Sequence, residues 1–198
     1  GYGIGALAGN ADGPAQIIRC WNGAAVTGKA SGSGAKGLSI SGIVGRGYNN
    51  TIIDSCYNIG TITGDNHAAG VNDWGQSGPG GQIYNSFNAG KLIAGTETQF
   101  ARYNANITSS ITDTVRPFSN SYAIGTPFYN IITTPDYNVL NVLADDAYTT
   151  GEVGYVLNQN YEGKGERTYY TIKDGKVTFG DASNQVRRIT LQVTGSDT

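Results

Sequence analysis

The chain of 198 residues has no methionine, one histidine, two cysteines and five prolines, and only 14% of its residues are charged. Each shortage removes a class of chemistry. A single histidine cannot build a His-Glu-x-x-His zinc site, and two cysteines make neither a disulfide scaffold nor a thiolate metal cluster. No Gly-x-Ser-x-Gly elbow presents a nucleophilic serine. Thirteen basic against fifteen acidic side chains leave a formal charge of -2 with no basic run, so a phosphate backbone has nothing to engage and nucleic acid is excluded as an expected partner. No stretch reaches the roughly 18 consecutive apolar residues of a spanning helix, and membrane insertion is not expected. The chain opens at Gly1 without an initiator methionine or a signal-like segment, and it reads as a piece covalently continuous with further domains of a larger chain.

What is abundant is glycine, with 30 residues, and tyrosine, with 13, a composition far from that of ordinary amphipathic helices. The glycines belong to a repeat. Cys20-Trp21-Asn22-Gly23-Ala24-Ala25-Val26-Thr27-Gly28 aligns without gaps on Cys56-Tyr57-Asn58-Ile59-Gly60-Thr61-Ile62-Thr63-Gly64, an offset of 36 residues. Upstream, Ala6-Leu7-Ala8-Gly9 matches Gly42-Ile43-Val44-Gly45, and both final glycines stand eleven residues before their cysteine. A third copy runs from Gly70-Val71 to Ser86-Phe87-Asn88-Ala89-Gly90, with Gly75 to Gly81 as an insertion, and a degraded fourth is Ser121-Tyr122-Ala123-Ile124-Gly125. Each unit holds only short β-type runs and cannot bury its own apolar face, so neighbouring units must stack with equivalent residues in parallel ladders. Ile17, Ile53 and Ile83 form one expected column, and Val26, Ile62 and Leu92 another. The 22 glycines among the first 95 residues are expected to supply coil corners with positive φ.

At these residues the chain resembles the GLUG-motif repeats of bacterial surface and secreted proteins, whose units read Gly-Ile-Val-Gly followed by Cys-Tyr-Asn-x-Gly-x-Val-x-Gly. The resemblance covers residues 3 to 125. The segment Ala147-Tyr148-Thr149-Thr150-Gly151-Glu152-Val153-Gly154-Tyr155-Val156-Leu157-Asn158 is similar to the one that closes such arrays. What the resemblance implies is an extracellular or cell-surface β-solenoid with no catalytic residue in its motif. The expected architecture is a mainly β chain: a right-handed parallel β-solenoid over residues 1–144, a small C-terminal α+β cap over 145–195, and the start of a linker at 196–198.

The period changes near Asp145. Thr150 is a candidate N-cap, and Val153, Val156 and Leu157 share one face of a short helix. Thr168 to Ile172 and Lys176 to Phe179 flank Lys173-Asp174-Gly175, expected as a three-residue hairpin connection, and Val186 to Val193 reads as a further strand. A helix with strands after a solenoid is expected to cover the open edge of the last coil.

Several strings imitate functional signatures. Gly32-Ser33-Gly34-Ala35-Lys36-Gly37 matches a dinucleotide fingerprint but lacks the strand before and helix after it. Gly23 to Gly28-Lys29-Ala30 has phosphate-loop spacing, with Ala30 where a magnesium-binding hydroxyl is needed. No cofactor or metal is therefore expected. His67 is expected in a solvated turn, and Asp65, Asn72 and Asp73 as turn formers rather than calcium ligands. Cys20 and Cys56 occupy one position on adjacent coils, and Ser86 and Ser121 replace them later. Their spacing permits a disulfide, but parallel side-chain directions suit it poorly, so they are expected as buried reduced thiols.

The column Trp21, Tyr57, Phe87 and Tyr122 is the candidate ligand-binding feature, flanked by a structural ladder of Cys20, Cys56, Asn22, Asn58 and Asn88. Facing outward, the rings would form a stacking surface for a glycan or a host protein; facing inward, they would fill the coil. Alternation turns them outward, corners can break that parity, and both orientations stay open. The expected function is a non-catalytic extracellular module acting in adhesion or as a spacer. The alternative is a carbohydrate-active β-helix, which needs carboxylates converging on one face. Asp54, Asp65, Asp73, Glu97 and Asp113 fall at different repeat positions. An ice-binding surface would need a Thr-x-Thr row on every coil, and Thr61-x-Thr63 has no counterpart.

Overall fold

The computed structural model describes residues 3–29, 39–47, 50–65, 67–75, 82–95, 97–103, 118–125, 141–163 and 166–188. The dinucleotide-like string at 32–37, all but the first residue of the Gly75 to Gly81 insertion, and the end of the chain from 189 lie outside them.

The chain winds through the same four parallel sheets on successive turns, a β-solenoid-like stack. Coil 1 contributes β1 (Gly3–Gly5), β2 (Ala8–Ala11), β3 (Gln16–Ile18), β4 (Trp21–Asn22) and β5 (Val26–Gly28). Coil 2 contributes β6 (Ser39–Ser41), β7 (Val44–Gly47), β8 (Ile52–Asp54), β9 (Tyr57–Asn58) and β10 (Ile62–Gly64). Coil 3 merges the first two segments into β11 (His67–Gly75), followed by β12 (Gln82–Tyr84), β13 (Phe87–Asn88) and β14 (Leu92–Ala94). Coil 4 has β15 (Glu97–Tyr103), β16 (Phe118–Ser119) and β17 (Tyr122–Ile124), and β18 (Asn141–Leu143) adds a further strand beside β17.

Strands of two or three residues are too short to stand alone and exist because each is hydrogen-bonded to its equivalents above and below. The register follows the repeat offsets: Ile17 pairs with Ile53 and Ile53 with Ile83, while Val26 pairs with Ile62 and Ile62 with Leu92. Ile43, Val44, Ile53, Val71 and Ile83 are fully buried in the stack with Cys56. The two blocks of the repeat meet there. A Cβ on Gly42 or Gly70 would collide with the side chain of Asn58 or Asn88.

The corners correct one expectation. The left-handed residue before each thiol or hydroxyl position is Arg19 (φ 53), Ser55 (φ 54), Asn85 (φ 49) and Asn120 (φ 45), none of them glycine. Asparagine tolerates this region because its short amide bonds locally. Gly13 (φ 82) and Gly125 (φ 62) do take left-handed turns as expected, whereas Gly60 and Gly90 allow close approach: a Cβ on either would strike a backbone oxygen of the neighbouring coil.

The C-terminal region contains α1 (Ala147–Thr150), α2 (Glu152–Gln159), and a hairpin of β19 (Tyr169–Lys173) and β20 (Lys176–Gly180). Thr150 is not the N-cap. It ends α1, its Oγ1 donating to Asp146 O at 3.1 Å, and α2 starts from Gly151 at φ 86. The hairpin turn has two residues, Asp174 (φ 52) and Gly175 (φ 69), with Lys173 paired to Lys176. Both positive φ values match the twist of the strands. Residues 186–188 form no strand. Asn158 fastens helix to hairpin, donating to Tyr170 O at 2.9 Å and accepting from Tyr170 N at 2.8 Å.

Among the described residues, this region lies along the flank of the stack. Its contacts reach from coil 1, where the Arg19 guanidinium lies 5.9 Å from the Phe179 ring, to coil 4, where Asn120 Nδ2 donates to Leu157 O at 3.1 Å.

Candidate functional site

Three neighbouring columns climb the sheet of β4, β9, β13 and β17, and strand alternation assigns their directions. The asparagines point into the coil as a continuous amide ladder: Asn22 Nδ2 donates to Asn58 Oδ1 at 2.8 Å, and Asn58 Nδ2 to Asn88 Oδ1 at 2.8 Å. Each amide also donates to the carbonyl two residues on, at Ala24, Gly60 and Gly90. A buried asparagine is costly unless both halves of its amide are satisfied, and the ladder satisfies them. It stops at coil 4, where the equivalent residue is Ala123.

The aromatic column faces out of the coil and stacks. Trp21 and Tyr57 have centroids 5.9 Å apart and planes inclined by 14°; Tyr57 and Phe87 are 4.7 Å apart at 5°. Alternation thus gives the direction correctly, but the outward surface is not free. Tyr57 is 2% exposed, Phe87 0% and Tyr122 4%, against 51% for Trp21. The cover is the C-terminal region, whose Leu157, Tyr170 and Val177 join these three rings in one buried cluster. Phe179 meets the Tyr57 ring at 5.0 Å edge-on, and Tyr170 meets Phe87 at 6.1 Å. Tyr57 Oη lies 3.2 Å from Thr178 Oγ1, and Tyr170 Oη donates to Asn85 O at 2.8 Å. Burial raises the phenol pKa of Tyr57 and Tyr122, and raises that of Tyr170 well above the usual value. Of the four candidate ligand-binding rings, Trp21 alone is left to meet a ligand.

In the third column, sulfur and oxygen do the same work. Cys20 Sγ donates to Ile18 O at 3.2 Å, Ser86 Oγ to Tyr84 O at 2.6 Å, and Ser121 Oγ to Ser119 O at 3.0 Å. Cys56 Sγ is 3.3 Å from both Asp54 O and Ile17 O. Ser86 Oγ in turn accepts from Cys56 N at 3.0 Å. Both cysteines are free, and only Cys56 is fully buried; Cys20 is partly buried, which corrects the expectation of two buried thiols. The Cys56 thiol, as a hydrogen-bond donor, holds the pKa of Cys20 down to about 6, while burial pushes Cys56 well up.

A second polar ladder, beside the corner, went unrecognised in the sequence. Asn120 Nδ2 donates to Asn85 Oδ1 at 2.9 Å, and Asn85 Nδ2 to Asp54 Oδ1 at 2.8 Å. Glu162 N donates to Asn85 Oδ1 at 3.0 Å, and Ser119 Oγ donates to the Glu162 carboxylate. The available signal was an asparagine directly before each serine of the thiol column, at Asn85-Ser86 and Asn120-Ser121.

The remaining candidates have structural places. His67 is half-buried and opens β11 rather than a turn. Asn72 and Asp73 are buried in the same strand: Asp73 Oδ2 accepts from Ile40 N at 2.6 Å, and Asn72 Oδ1 from Gly47 N at 3.1 Å. They bond between coils instead of forming turns. Gly28 of the phosphate-loop-like string lies in β5, in register with Gly64. Among the described residues no group of three or more His, Cys, Asp or Glu is placed to hold a metal ion, and no helix is long and apolar enough to cross a membrane. No protein-family model, no curated protein and no solved structure matches this chain.

Proposed function

We propose that this chain is a non-catalytic structural module, a right-handed β-solenoid of the GLUG-like kind, within a larger bacterial surface or secreted protein. It acts as a spacer that carries adhesive surfaces outside the cell. The observation that supports this is the use to which the repeated residues are put. Asn22, Asn58 and Asn88 are consumed by one another, and Tyr57, Phe87 and Tyr122 by the C-terminal region. The side chains that recur most faithfully thus join coil to coil and coil to flank. A glycan or host protein would meet Trp21, whose flat ring suits stacking on a sugar face.

The test is a glycan and host-protein binding screen of the chain, run beside a polysaccharide-cleavage assay. Polysaccharides should stay intact, and binding found in the screen should fall with Trp21→Ala. Cleavage abolished by substituting Asp54, Asp65 or Asp73 would instead establish the carbohydrate-active alternative.

A further inference from the structure

Cys20 and Cys56 are the chain's only sulfur-bearing side chains, and the winding sets one above the other. Trp21 pairs with Tyr57 and Asn22 with Asn58, and Tyr57 N donates to Cys20 O at 3.0 Å. Residues 20 and 56 therefore face each other across one strand spacing, about 4.8 Å, within the Cα separation that a disulfide accepts. Side chains rising parallel from two strands ordinarily keep their sulfurs apart. Here Cys56 Sγ leans back to coil 1, reaching Ile17 O at 3.3 Å, while Cys20 Sγ bonds to Ile18 O one residue further on. Access is unequal, Cys20 being partly buried and Cys56 buried. A reachable sulfur held toward the thiolate, backed by a sheltered thiol within reach, is the arrangement of an attacking and a resolving cysteine.

We propose that Cys20 and Cys56 form an oxidisable dithiol, which a low-molecular-weight disulfide converts into an intrachain disulfide tying coil 1 to coil 2. The Cys20 thiolate attacks one sulfur of the oxidant; a new S–S bond forms, the oxidant's own S–S bond breaks, and half of it leaves as a thiolate. Cys56 then gives its proton to that thiolate, and its sulfur attacks Cys20 Sγ, expelling the second half. Two electrons pass from the cysteine pair to the oxidant, which ends as two thiols, and the protein loses two hydrogens. The tie joins the coil whose strands end every solenoid sheet to the coil that supports it. Closing the loop between 20 and 56 restricts the unfolded chain as well.

The experiment exposes the folded chain to oxidised glutathione, alkylates the remaining thiols, and reads intact mass and bridged peptides. The wild type should lose two hydrogens, resist alkylation and yield a peptide joining Cys20 to Cys56. Cys56→Ser, which installs the residue that coils 3 and 4 carry in this column, should instead keep one glutathione on Cys20. The oxidised wild type should melt about 8 °C above the reduced form, and reductant should reverse the gain. A stable glutathione adduct on wild-type Cys20, alkylation of both cysteines after oxidation, or a disulfide formed only between two chains would overturn the proposal.

Discussion

Phe87 lies face to face on Tyr57, the ring planes 5° from parallel, and the pair is covered from a part of the chain far downstream, Phe179 meeting Tyr57 and Tyr170 meeting Phe87. The contact joins the coil stack to its C-terminal flank.

Truncating Phe87 should therefore be felt in both. Phe87→Ala removes a fully buried ring from the centre of the shared cluster, and the expected cost is about 3–5 kcal/mol. Trp21→Ala acts on a half-exposed ring at the end of the same column and should cost about 1 kcal/mol or less. Urea unfolding of the two variants checks the difference, and equal losses would contradict the described cover.

The amide ladder makes position matter in the same way. Asn58 both donates to Asn88 and accepts from Asn22, so Asn58→Ala strands partners on two coils. Its cost should be about 2–3 kcal/mol or more. Asn22→Ala removes only the end of the ladder and should cost less. Differential scanning calorimetry orders the two.

Removing everything after Leu143 should uncover Tyr57, Phe87 and Tyr122 together. An apolar stripe of this kind promotes association. The expected result is bound hydrophobic dye, higher-order species on size exclusion and loss of a cooperative melt. A monomeric truncation that melts cooperatively would show that the coil stack does not depend on its flank.

Alkaline pH should attack the same cluster. Burial raises the pKa of Tyr57, Tyr122 and Tyr170 above their unfolded values. The folded state therefore binds these phenolic protons more tightly than the unfolded chain does. The associated stability is complete below the ordinary tyrosine pKa and is lost as pH rises through the folded values. Tyrosinate absorbance should show a buried set that ionises only with unfolding. Tyr170→Phe should shrink the buried set by one.

Sequence spacing alone determined the register of the stack. Offsets of 36 and 30 residues place Cys20 on Cys56 and Ile53 on Ile83, because equal spacing around a coil and in-register pairing are the same geometric statement. Alternation likewise sent Asn58 inward and Tyr57 outward. The left-handed corner was not legible, since Arg19, Ser55, Asn85 and Asn120 share a backbone conformation without sharing a side chain. Nor was the fate of the aromatic column. Whether outward rings meet water or protein depends on which surface comes to lie over them, and the surface that covers Tyr57 is carried by Thr178 and Phe179. No local period encodes a contact between segments that far apart; the packing of α2 and its hairpin against the coils decides it, by removing from water an apolar surface that the repeats alone would leave exposed.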